Sequence, residues 1–272
     1  MKRIPAPAKL NLALVVGPRR EDGRHEVTTV LQRLDLGDRI TIEPADRLTI
    51  TGFHGDTLVR AALERLAAAA GVEPRWQARI EKRIPIASGL GGGSSDAASA
   101  LLLANRTLPQ PLDPATLHEL AAGLGVDVPF FLRTGPALGG GAGEELEPLE
   151  LPQDFYVVLL RPNGESKRST ADVYTAFDAR RGDKGYAARR KTLLAALRTA
   201  RRPRDLAALP PNDLASSPLA NRLVDHGAFR ADVTGAGPVV YGLFMQRVQA
   251  ERAARLLRPA GRTWVTVPAW YG

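Results

Sequence analysis

Apolar and polar positions alternate loosely over residues 8–16, stop at Gly17-Pro18, and resume over residues 26–31 beyond Gly23. A period of two bounded by turn residues predicts strands. Two more short alternating runs, residues 39–43 and 47–51, flank a Pro-Ala-Asp turn, so residues 1–52 read as an antiparallel meander. The period then changes. Strong helix formers with apolar Leu58, Ala61, Leu63, Leu66 and Ala67 run to Gly71 and predict a helix over 57–70. A strand over 76–82 leads into a glycine-rich stretch and a second helix, 96–105. A third helix, capped by Asp113 with Pro114 at its first position, reaches residue 122.

Glycines 139–141 and 143, followed by Glu144-Glu145-Leu146-Glu147-Pro148, form a hinge-like shift in composition, which places a domain boundary near residue 150. Beyond it the pattern predicts a strand over 154–160, an Ala/Leu-rich helix near 186–200, a strand-turn-strand over 231–244 around Gly235-Ala236-Gly237-Pro238, a helix over 246–257 and a strand over 263–268. Two domains, 1–150 and 151–272, are expected, the first α/β or α+β in character.

Composition narrows the function classes. Of the 272 residues 44% are apolar and 24% charged, as in a folded globular protein. With no cysteine, disulfides, thiolate metal sites and a cysteine nucleophile are excluded. No apolar run approaches the length of a membrane span and the first twenty residues make no convincing signal peptide, so a cytoplasmic protein is expected. The net charge of +8 is uneven: residues 1–150 hold 17 basic against 19 acidic side chains, residues 151–272 hold 20 against 10. Ten basic residues fall between Arg180 and Arg204. They read as a solvated helix face or as an RNA- or lipid-contacting stripe, although Tyr186 is the only aromatic among them.

The chemistry concentrates in Pro85, Ile86, Ala87, Ser88, Gly89, Leu90, Gly91, Gly92, Gly93, Ser94 and Ser95, between a predicted strand and a predicted helix. Glycines let backbone N–H groups approach an anion closely, and a helix N-terminus adds partial positive charge. The pattern therefore predicts a phosphate cradle rather than a flexible linker. It is not a Walker A loop, since no Lys-Ser/Thr follows the last glycine.

This segment resembles the ATP-binding motif of the GHMP small-molecule kinases. Pro7-Ala8-Lys9-Leu10-Asn11-Leu12 resembles that family's first motif and Val233-Thr234-Gly235-Ala236-Gly237-Pro238 its third. Asp22-Gly23-Arg24-His25-Glu26 and Gly125-Val126-Asp127-Val128-Pro129 resemble the branch that acts on a cytidine diphosphate-linked methylerythritol of the non-mevalonate isoprenoid pathway. The resemblance implies an α+β fold of two domains, one like domain 2 of ribosomal protein S5 and one ferredoxin-like. It further implies transfer of the ATP γ-phosphoryl group to a hydroxyl, with Mg²⁺ as the accompanying ion and Ser95 as a ligand candidate. Lys9 and Asp127 fall at the family's catalytic positions: a carboxylate can orient a hydroxyl and take its proton, and a lysine can hold it ionised.

For the second substrate the resemblance implies Asn11 beside the acceptor, His25 bonding the cytosine, Tyr174 stacking on it and Thr170 nearby. Two positions depart from the branch. Arg24 stands where an aromatic is common, and Thr57 where an Asn is usual, so Thr57 is not assigned to nucleotide binding. The expected partners are ATP and a small anionic substrate, with no nucleic acid and no membrane. Rival readings are a GHMP kinase for mevalonate, homoserine or a sugar, which would not need cytidine, and an RNA-binding module, which would show steep salt dependence and no phosphoryl transfer.

Overall fold

The computed structural model describes residues 2–53, 55, 58–165 and 169–269; the Thr57 position lies outside them. Residues up to 44 form two long strands, β1 (Lys2–Arg19) and β2 (His25–Pro44), where several short ones were expected. From Val27 to Leu34 every residue of β2 is buried, which is why its alternation is faint. Next come β3 (Thr49–Thr51), α1 (Leu58–Ala70), β4 (Trp76–Glu81), α2 (Gly92–Asn105) and α3 (Pro114–Leu124).

The chain packs as two compact units whose borders do not follow the expected break near residue 150. The first takes the chain up to Ala8, Leu36–Ile86 and Gly91–Thr134; the second takes Lys9–Asp35, Ala87–Leu90 and everything from Gly135. Strands of 18 and 20 residues contribute to both units, so no single cut in sequence separates them.

In the first unit β4 lies between β2 and β3. It pairs antiparallel with β2 (Ile40 opposite Ile80) and parallel with β3 (Ile50 opposite Ala78). The expected meander is therefore corrected: β3 does not return along β2, because α1 supplies the crossover that a parallel pair requires. Helix α1 buries Val59, Ala62, Leu63, Leu66 and Ala67 on one face and packs on α2 and α3. Fully buried leucines such as Leu63 and Leu66 each contribute about 2 kcal/mol. Helix α2 begins at Gly92, one turn earlier than expected, so Gly92 to Ser95 belong to its first turn.

The second unit contains β5 (Ala137–Gly140), β6 (Glu145–Pro148), β7 (Tyr156–Pro162), α4 (Thr170–Ala179), α5 (Tyr186–Thr199), α6 (Pro218–Asp225), β8 (Arg230–Val233), β9 (Val240–Phe244), α7 (Arg247–Leu257) and β10 (Gly261–Thr266). The supposed hinge is a hairpin: Gly140 pairs with Glu145 and Ala137 with Pro148, around Gly141 and Gly143 at φ +63° and +116°. Those glycines serve a turn that needs left-handed backbone, and β5 is held on its other edge by Val30 of β2.

Strands β7 to β10 form an antiparallel sheet in the order β10-β7-β9-β8. With helices between β7 and β8 and between β9 and β10, this is the ferredoxin-like arrangement. Its core joins Val158, Leu160, Val240 and Phe244 to Leu223 of α6 and Ala250, Ala253 and Leu257 of α7. Helices α4 and α6 were missed because each is short and buries one or two residues, Val173 and Phe177 in α4 and Leu223 in α6. Their caps, Ser169 and Ser217, mark both starts.

Candidate active site

The glycine segment leaves β4 and turns sharply: Ala87, Gly89 and Gly91 all have positive φ. Gly91 caps α2 in the left-handed conformation with no side-chain cap bond, so no capping side chain takes up the first N–H groups of α2. Ser88, Leu90 and Ser95 are buried, Pro85, Gly89, Gly91, Gly92 and Ser94 are partly exposed, and Ile86, Ala87 and Gly93 are exposed. The Leu90 side chain packs inward, whereas Gly91 to Ser94, at the start of α2, stay partly or fully exposed.

A charge cluster in the first unit, which sequence reasoning missed, braces this segment. Asp38 is fully buried; it accepts from Arg83 N at 2.5 Å and Ile84 N at 2.8 Å, clamping the chain as it leaves β4. Lys82 Nζ donates to Asp38 at 2.5 Å and to Asp96 Oδ2 at 2.8 Å. Asp96 Oδ1 and Ser95 Oγ are buried without a partner among the described residues. Burial, reinforced by the negative charge of Asp38 and opposed by Lys82, pushes the Asp96 carboxyl up to about 7. For Lys82 burial acts downward, but the attraction of Asp96 and Asp38 prevails and holds the ammonium above its ordinary value. The sequence carries Asp38 between Gly37 and Arg39 with Leu36 and Ile40 on either side, and nothing local marks it as the buried carboxylate.

In the second unit the first and third motifs meet the start of the glycine segment. Lys9 Nζ donates to Asn11 Oδ1 at 2.8 Å, and Lys9 N to Leu90 O at 2.9 Å. Asn11 donates from Nδ2 to Thr29 Oγ1 at 2.9 Å and from its backbone N to Thr234 Oγ1 at 3.1 Å. Both Lys9 and Asn11 are buried, so this lysine is held rather than solvated. A side chain at Gly89 would meet Thr234 O at 2.8 Å and Gly237 O at 3.1 Å. The turn itself is shaped by Asn212, whose Nδ2 donates to Val233 O at 2.9 Å and Gly235 O at 2.7 Å. Asp127 belongs to the first unit; it sits half-buried in the turn where Val128 N bonds Gly125 O at 3.0 Å, ahead of a 3₁₀ turn over Pro129–Leu132.

The residues implied for the base meet where the start of β2 lies against α4. His25 is buried and stacks on Tyr174 with ring centres 4.7 Å apart and planes 24° apart. Phe177 meets it edge-on at 5.8 Å. Thr170 is exposed in the first turn of α4. Arg24, at the departing position, turns out to Asp22 at 2.9 Å and Glu144 at 3.6 Å. A cavity of about 500 Å³ lies in this unit, lined among others by Val173, Ala176 and Arg180 of α4 and by Ala236 and Gly237 of the third motif.

Part of the basic cluster has an internal role. Arg180 bonds the carbonyl of Asp213, while Arg189 reaches the Asp213 carboxylate at 3.0 Å and the carbonyls of Val16 and Gly182. No group of three or more His, Asp or Glu side chains suited to a metal occurs among the described residues. The unpartnered Ser95 hydroxyl in the first turn of α2 nevertheless fits Mg²⁺, which takes few protein ligands and completes its shell with phosphate oxygens and water. No helix among the described residues is long and apolar enough to cross a membrane.

Comparison with known proteins agrees with this geometry. The family described as GHMP kinases N terminal domain matches residues 57–135. The chain is 40% identical over 264 residues to 4-diphosphocytidyl-2-C-methyl-D-erythritol kinase of Anaeromyxobacter sp. (strain Fw109-5), covering 93% of this chain and 85% of that one. It is 38% identical over 275 residues to the protein of the same name from Salinispora tropica, covering 93% and 86%. Among solved structures it is similar to a crystal structure of 4-(cytidine 5'-diphospho)-2C-methyl-D-erythritol kinase, with TM-score 0.79, 33% identity, and 98% and 99% of the two chains covered. A mevalonate kinase structure with TM-score 0.77 and 14% identity, covering 98% and 99%, shares the fold. With all three motifs in place and relatives of this identity along its length, the chain belongs to the GHMP kinase family, in the branch of the 4-diphosphocytidyl-2-C-methyl-D-erythritol kinases.

Proposed function

We propose that the protein transfers the γ-phosphoryl group of ATP to the 2-hydroxyl of 4-diphosphocytidyl-2-C-methyl-D-erythritol, in the non-mevalonate route to isoprenoid precursors. The observation that carries this reading is the meeting of Lys9 and Asn11 with Thr234, Gly235 and the Gly89-Leu90 backbone, in a chain 40% identical to kinases of that name. We assign the Pro85 to Ser95 segment to ATP, with the backbone of Gly91 to Ser94, at the start of α2, turned to the phosphates.

Asp127 orients the acceptor hydroxyl and takes its proton as the new O–P bond forms and ADP leaves. Lys9, fixed by Asn11, offsets the charge of the phosphates and keeps the carboxylate ionised. Mg²⁺ held by Ser95 and the phosphates would neutralise charge on the transferring group. At the other end of the substrate His25 bonds the cytosine, with Tyr174 and Thr170 beside it. The family-level domains are assigned to 1–150 and 151–272, and the location to the cytoplasm, where both polyanionic substrates would be found.

The test is ADP release with Mg²⁺ and ATP, comparing the cytidine-linked methylerythritol with mevalonate, homoserine and galactose. Release with the cytidine compound alone supports the reading. Release with another acceptor would retain the glycine-loop chemistry and discard the base-reading residues. RNA binding without release from any acceptor would overturn the reading altogether.

A further inference from the structure

His25 has one ring nitrogen already engaged. Nε2 lies 2.7 Å from Asp178 Oδ1, while among the described residues Nδ1 has no hydrogen-bond partner. A carboxylate only accepts, so Nε2 carries the proton of this bond, and in the neutral imidazole Nδ1 is the nitrogen left with its lone pair. The bond joins residues 153 positions apart, and the imidazole is otherwise fixed: its side chain is 6% exposed, stacked on Tyr174 and met edge-on by Phe177. Tyr174, Phe177 and Asp178 are spaced i, i+3 and i+4, so one face of α4 supplies all three contacts.

Helix α4 is itself anchored. Phe177 is buried with Leu14, Val16, Val27 and Leu214, and a side chain at Gly182 would strike its ring at 2.3 Å. A half-turn of the imidazole about Cβ–Cγ would keep its plane against Tyr174 but carry Nε2 away from Asp178, so the hydrogen bond selects one ring orientation.

We propose that Asp178 is a positioning residue that makes the enzyme choose cytosine over uracil, by fixing His25 in the tautomer whose Nδ1 accepts a hydrogen bond. Cytosine carries an exocyclic amino donor where uracil carries a carbonyl acceptor. An Nδ1 lone pair pairs with the first and faces the second acceptor to acceptor. This inference rests on the assignment of His25 to the base.

The informative substitution is Asp178→Asn. It is nearly isosteric, but its amide can accept from Nε2–H or donate to Nε2, so it permits both tautomers. The experiment measures kcat and KM for the cytidine-linked substrate and its uridine-linked analogue in the wild type, Asp178→Asn and His25→Ala, with ¹⁵N NMR of the His25 ring. The cytidine-over-uridine preference in kcat/KM is expected to fall about tenfold in Asp178→Asn, roughly the worth of one hydrogen bond, with KM for ATP unmoved. Nδ1 should resonate as an unprotonated nitrogen in the wild type and as a mixture in Asp178→Asn. An unchanged preference in Asp178→Asn, with a raised cytidine-substrate KM in His25→Ala, would overturn the role of Asp178 alone. An unchanged KM in His25→Ala would instead remove the base-reading assignment beneath it. A wild-type Nδ1 that carries the proton would overturn the proposal directly.

Discussion

Lys82 Nζ donates to Asp96 Oδ2 at 2.8 Å, linking the residue just past the end of β4 to the second turn of α2 across the glycine segment. The same ammonium reaches Asp38, so one cation serves two buried carboxylates. Lys82→Met should leave both without a counter-charge and lower the unfolding free energy by about 3–5 kcal/mol, measured by urea denaturation. A loss within 0.5 kcal/mol of zero, the range of about ±0.5 typical of surface changes, would mean that the cluster carries no net stabilisation.

Asp96 also gives stability a pH dependence. Its carboxyl is pushed up to about 7 in the folded protein, against about 3.9 in an unfolded chain. Between these values the native state binds the proton and the unfolded state does not, so this group's contribution is fully present below about pH 4 and is lost as pH rises through about 7. Asp96→Asn should remove that downward slope between pH 4 and 7. Identical slopes in wild type and variant would show that Asp96 does not titrate there.

Gly89 stands at φ +80° with Thr234 O only 2.8 Å from where a Cβ would be. Gly89→Ala should cost about 1–3 kcal/mol through backbone strain alone. It should also raise KM for ATP by pushing the third motif away from the loop. Thermal unfolding and ATP kinetics check the two effects separately; an unchanged Tm would show that the contact relaxes freely.

Asp127→Asn tests the chemical step. Removing the proton acceptor should lower kcat about a thousandfold. Nucleotide affinity, read by calorimetry, should stay within about twofold of wild type, since Asn keeps the shape of Asp and P-loop-independent phosphate binding rests on backbone donors. Near-normal turnover would exclude Asp127 from the mechanism.

Asn212 joins two carbonyls of the third motif through one amide nitrogen, and its own Oδ1 accepts from Leu214 N at 2.8 Å. Asn212→Ala should orphan these buried groups and destabilise the protein by about 2–3 kcal/mol. Hydrogen exchange should quicken at Thr234 and Gly237, whose backbone bonds close the turn. Protection equal to the wild type would mean that Thr234 N to Val239 O holds the turn unaided.

Local patterning carried much of the architecture. The helix formers before Gly71, Pro114 behind its Asp113 cap and the apolar runs of the ferredoxin-like sheet each act within one element, through propensity, capping and burial, and each appeared where expected. The readings that failed were those in which composition stood in for pairing. The glycines at 139–143 read as a hinge because a flexible linker and a tight hairpin turn draw on the same residue. Only the pairing of β5 with β2 and β6 separates them.

At the site, the residue types and the order of the three motifs are properties of the chain, and the two-residue spacing of Lys9 and Asn11 puts both on one face of a strand. Their acceptors and braces are not. Asp38 meets Lys82 across 44 residues, Asn11 meets Thr234 across 223, and His25 meets Asp178 across 153. A buried polar group takes whichever partner the packed strands and helices bring within hydrogen-bond reach, and no short-range period or spacing encodes that choice. The sequence alone determined which chemical groups this protein carries and which of them lie near one another along the chain; tertiary packing decided which groups are held, by what, and in which protonation state.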